Sequence, residues 1–129
     1  MLDLDKFVEA TLIGFELDSV MGQVVFAIRE PSGKLWHLVA SGVSDLNISE
    51  MRLQNIIDRI SVWKDCVDME CKEKISSLIG NMFYTHLPAV GRIVGAIQRG
   101  ESMLIELEPV YGASVLMLAS GLSAHSLSL

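Results

Sequence analysis

Apolar residues, several of them β-branched or aromatic, gather over 9–18 and again over 23–30, and the two runs read as strands. Leu12, Ile13, Phe15 and Leu17 carry the first run, and Val24, Val25, Phe26 and Ile28 the second. Residues 19–22 end in Gly22 and make a short hairpin connection. Pro31, Ser32, Gly33 and Lys34 make a second turn, and 35–40 a third strand. The first third of the chain therefore predicts a three-stranded meander. A second hairpin is predicted over 102–120. Met103, Ile105 and Leu107 alternate with Leu104, Glu106 and Glu108, Pro109 closes the run, and Gly112 offers a positive φ. Val115 to Ala119 is apolar on both faces, as in a strand covered on both sides.

Between the hairpins the period changes. Cys71, Ile75, Leu78, Ile79, Met82 and Phe83 fall on one face of a helix of about four turns. Leu87, Val90, Ile93, Val94 and Ile97 form a second such face. Thr85 stands as its N-cap, Pro88 in its first turn and Gly100 beyond its end. Residues 42–63 are ambiguous. Leu53, Ile56, Ile57, Ile60 and Trp63 recur at helical spacing, yet 55–63 is rich in β-branched residues. The reading favours a strand over 55–63 and an irregular passage over 47–54. Strands, then helices, then strands give one α+β domain spanning 1–129, an antiparallel sheet of five to six strands with two helices packed on one face.

Composition adds a partner argument. Half of the 129 residues are apolar, the high end for a globular domain, which suits a homodimer or partner surface as well as a large core. Net charge is −6, divided as −4 over residues 1–65 and −2 over the remainder, with no basic arm. Nucleic-acid binding needs clustered Lys and Arg and is not expected; a basic protein surface is the better match. The acidic start has no signal-peptide character. The uncharged run 109–129 carries Pro109, Gly112, Gly121, His125 and several serines, and reads as a buried strand and a frayed tail rather than a membrane span. Cys66 and Cys71, five apart, match no zinc spacing and read as reduced thiols of a cytoplasmic protein.

Little in the chain suggests catalysis. His37, His86 and His125 lie in three separate elements without ligand spacing, so neither metal nor other cofactor is expected. Glu106 and Glu108 share a strand face about 7 Å apart. Paired carboxylates can do acid–base work when their environments differ, so a small hydrolase or isomerase is one rival reading, and a structural subunit of a homo-oligomer another.

Two phrases bear a resemblance: Ile48-Ser-Glu-Met-Arg-Leu-Gln-Asn-Ile-Ile57 and Glu108-Pro-Val-Tyr-Gly-Ala113. With the meander they resemble small bacterial α+β proteins in which an LxIxEF-xxQN phrase precedes a late EPSYGA turn, of the kind that serve as immunity partners of polymorphic and contact-dependent toxins. Val110 stands where that pattern has Ser. The resemblance implies a non-enzymatic protein that occludes the active site of a cognate toxin with a basic surface. Asp45, Glu50, Asp58, Glu106 and Glu108 are the candidate contacts, chosen because their neighbours predict exposure.

Overall fold

The computed structural model describes residues 2–65, 67–80 and 88–127. Among these residues the chain is α+β, with two helices and one antiparallel sheet in the order β4-β7-β6-β5-β1-β2-β3-β8. The meander is β1 (Thr11–Asp18), β2 (Gln23–Arg29) and β3 (Leu35–Ser41), as the apolar runs and the turns between them predict. Then follow β4 (Asp45–Ser49), β5 (Ile56–Trp63), α1 (Met69–Leu78), α2 (Pro88–Gln98), β6 (Met103–Tyr111), β7 (Ser114–Ala119) and β8 (Gly121–Leu127).

The sheet has eight strands rather than five to six. The two additions come from segments expected to be irregular: Asp45–Ser49 pairs with β7, and the supposed tail Gly121–Leu127 pairs with β3 along its whole length. Both continue a neighbouring strand round a bend. Ser41 lies opposite Gly121 and Asp45 opposite Leu118, so residues 42–44 face only 119–120. One residue too many on one side forces a kink, as in a β-bulge. Gly42, at φ +59°, stands at the kink, where a Cβ would come within 2.0 Å of Ser120 Oγ. The bent ribbon β3–β4 against β7–β8 brings the two halves of the sheet face to face.

The inner space is filled by Leu12, Phe26, Ile28, Leu38, Ile105, Leu107, Val115 and Met117, with Phe7 from a 3-10 turn at Asp5–Phe7. The outer face of β6 and β7 presents Leu104 and Leu118 to a second cluster formed by Cys71, Ile75, Val90 and Ile97 of the helices. Hence β7 is apolar on both faces because both faces are covered. The helix α1 begins at Asp68, whose Oδ1 accepts the Cys71 N–H at 2.8 Å, a cap that satisfies a first-turn donor. It ends at Leu78, short of the four turns expected, and Gly80 at φ +86° follows. Cys66, Met82, Phe83, Thr85, His86 and Leu87 lie outside the described residues. In α2, Val90 and Ile97 are buried, while Ile93 and Val94 are half-buried against the same cluster. No described helix is long and apolar enough to cross a membrane.

Proline 109 does not end its strand. It pairs with Ile57, at a point where the β5–β6 register steps over Asp58 on one strand and Val110 on the other. A residue without an N–H interrupts the ladder, and the two strands accommodate it by extruding one residue each.

Candidate functional site

The two phrases singled out by resemblance, 48–57 and 108–113, meet at one end of the sheet, and Asn55 joins them. Its side chain is almost wholly buried, 1% exposed. Oδ1 accepts the N–H of Arg52 at 3.0 Å and the N–H of Ala113 at 2.9 Å, and Nδ2 donates to the Arg52 carbonyl at 2.8 Å. One amide thus closes its own loop and clamps that loop to the β6–β7 turn. Asparagine suits this role because it offers acceptor and donors on a short side chain. Gly112 is required beside it: at φ +85° a Cβ would stand 2.4 Å from Asn55 Oδ1 and 2.9 Å from the Gln54 carbonyl. Glu50, at φ +60°, is a non-glycine residue in left-handed backbone at the start of the loop.

The clamp holds large apolar groups out in solvent. Leu53 is fully exposed, and Val110, Tyr111 and Met51 are 60%, 51% and 40% exposed. The Arg52 guanidinium lies 5.6 Å from the Tyr111 ring centroid. Isolated exposed side chains need no explanation; these four stand together on the two segments that Asn55 braces against each other.

The candidate acids divide. Glu50, Asp58 and Glu108 lie at the margin of this tip. Glu50 is 3.7 Å from Arg52, and Glu108 accepts a 2.8 Å hydrogen bond from Arg59 Nε. That hydrogen bond, with the Glu108 charge, raises the Arg59 guanidinium above its ordinary pKa. Asp58 is the exposed residue extruded from β5. Asp45 sits at the opposite end of β4, about 13 Å of strand away from Ser49. Glu106 is not exposed as its neighbours suggested: its side chain is 12% accessible, and its Oε2 accepts a 2.8 Å hydrogen bond from Lys74 of α1. The helix that covers this strand face is what the local pattern could not reveal.

For chemistry, Glu106 and Glu108 each face a cation rather than one another. The fold also unites two histidines that sequence spacing kept apart. His37 and His125 are direct cross-strand partners on β3 and β8, and Ser123 Oγ lies 3.0 Å from His125 Nε2. Reading 121–127 as a tail concealed this pairing. Among the described residues no three His, Cys, Asp or Glu side chains converge as a metal site would need. Comparison with family models, with curated proteins and with solved structures finds no match for the chain.

Proposed function

We propose that the chain is a protein-binding protein of the immunity type, which neutralises a cognate bacterial toxin by covering its active site with the Asn55-braced tip. The observation that carries the reading is the apolar tip itself. Leu53, Val110 and Tyr111 stand half or more in solvent on the two segments joined by a buried three-hydrogen-bond clamp. Rigid, exposed aromatic and aliphatic groups make inexpensive anchors, because little conformational freedom is lost when they enter a partner's pocket. The tip is also where the two immunity-like phrases coincide.

Charge plays the second part. Glu50, Asp58 and Glu108 against Arg52 and Arg59 leave one net negative charge at the margin, within a chain of net charge −6. A basic cleft is steered towards this surface, and added salt slows association. Dissociation is set by the apolar anchors and changes little with salt.

The test is co-expression with a toxin domain drawn from the reading frame adjacent to the gene. Wild type protects cells. Leu53→Asp with Tyr111→Ala abolishes protection while the urea midpoint stays near that of wild type, and Asp45→Asn, far from the tip, protects fully. Equal killing with and without the wild-type chain rejects the immunity reading. Full protection by the double variant rejects the tip.

A further inference from the structure

Strand β1 has a free edge. It meets β5 at one residue pair, Thr11 with Ile56, reinforced by the Leu12 N–H on the Asn55 carbonyl at 2.8 Å. Beyond that point only β2 pairs with it among the described residues, in regular register from Gly14–Ala27 to Asp18–Gln23, after a bulge that leaves Ile13 without a cross-strand partner on β2. Phe15 and Leu17 share the inner face with Phe26 and Val24, their cross-strand partners, yet they are 43% and 50% exposed where those partners are fully buried. Ile13 on the same strand, and Val20 and Met21 in the adjoining turn, are exposed too. Edge strands of monomers are usually guarded by charged residues, Pro, a bulge or a covering element; past the bulge at Ile13, residues 14–17, Gly-Phe-Glu-Leu, carry neither Lys nor Pro and the single charge of Glu16.

We propose that this edge is a homodimer interface, in which β1 pairs antiparallel with β1 of a second copy about a two-fold axis through Phe15. Charge and occupancy select the register. A two-fold antiparallel pair places the residue on the axis opposite itself. An axis at Glu16 opposes two glutamates, and one at Leu17 opposes Glu16 to Asp18; like charges directly opposite are unfavourable. An axis at Gly14 or earlier needs Thr11 and Leu12, which β5 already holds. An axis at Phe15 sets Glu16 opposite Gly14 and the two Phe15 rings against each other, with Leu17 beside the bulged Ile13. No acid then directly faces an acid. The surface is separate from the Asn55 tip, so the proposal stands without the immunity reading.

The experiment measures the self-association of the full chain by analytical ultracentrifugation. Gly14 provides a test of opposite signs, because a Cβ there meets nothing within 4 Å. Gly14→Glu opposes Glu16 of the second copy and weakens the dimer, whereas Gly14→Lys pairs with that carboxylate and tightens it, each by roughly two- to thirtyfold through the two symmetry-related contacts. Register is read by crosslinking in a Cys66→Ser background. Phe15→Cys lies opposite itself and oxidises to a disulfide-linked dimer; Leu17→Cys, about 13 Å from its own copy, does not. Failure of wild type to self-associate up to its solubility limit overturns the proposal. So does equal crosslinking at both positions, or a dimer that Gly14→Glu and Gly14→Lys shift in the same direction. Protection of the β1 amides in a monomer by an extended basic peptide would assign the edge to a different protein, and also overturns the second-copy proposal.

Discussion

Replacing Asn55 by alanine tests the clamp on which the tip depends. Three hydrogen bonds are lost, to the Arg52 N–H, the Arg52 carbonyl and the Ala113 N–H. Each contributes about 0.5–1.5 kcal/mol net, and a buried donor left without a partner costs about 1–3 kcal/mol. The Ala113 amide is the critical group, because Ala113 is 5% exposed and water has poor access to it. The terms overlap, since losing the bond and orphaning the donor describe one event at Ala113, so the sum comes to about 3 kcal/mol. With a urea m-value of about 1–3 kcal/mol/M, the midpoint should fall by roughly 1–3 M with the slope unchanged. Hydrogen exchange supplies the local readout: the Ala113 amide should lose most of its protection in Asn55→Ala. Asn55→Asp keeps an acceptor for both amides but sets an oxygen against the Arg52 carbonyl, so it is destabilised while Ala113 remains protected. An unchanged midpoint together with unchanged Ala113 exchange in Asn55→Ala would show that the loops are held by something other than this side chain.

Three further outcomes are expected. Gly112→Ala should cost more than 2 kcal/mol, since its Cβ would collide with Asn55 Oδ1 at positive φ, whereas Gly33→Ala, at φ +98° with nothing within 4 Å, should cost about 1 kcal/mol; paired urea melts compare them. Ile97→Ala, fully buried between the helices and the outer sheet face, should lower stability by about 2–5 kcal/mol, and a melt indistinguishable from wild type would disprove that packing. The Arg99 hydrogen bonds to Glu101, both 3.0 Å, together with its charge, hold the Glu101 carboxyl below its ordinary pKa. That stabilisation is present above the ordinary glutamate value and is lost as pH falls through the lowered one, so an NMR titration should show the Glu101 midpoint rise in Arg99→Gln.

Glu106 shows the limit of local reasoning. Its strand neighbours give it the pattern of a solvated face, and the alternation that places it there is correct. What covers that face is α1, whose Lys74 comes from 32 residues earlier in the chain and neutralises it. The same holds for His37 and His125, which become neighbours only because β8 returns to the edge of the meander.

What the sequence determined by itself was every element whose signal is local: the meander over 11–41, the apolar faces of α1 and α2, and the double-sided burial of β7; at Ile56–Trp63 helical spacing and β-branched residues competed, and the fold decided for the strand. Side-chain period and turn chemistry act within a few residues, so the sequence displays them directly. Tertiary structure decided the rest. The strands Asp45–Ser49 and Gly121–Leu127 are too short or too polar to announce themselves, and they exist because each continues a partner's ladder around the Gly42 bend. The union of the phrases at 48–57 and 108–113 depends on Asn55 reaching the Ala113 amide across 58 residues of chain. Among the described residues the free edge of β1 is likewise a property of the folded sheet, since it arises where β5 parts from it, and no pattern within 13–17 records it. Pairing partners are chosen by packing over long sequence separations, and that choice is made only when the whole chain is folded.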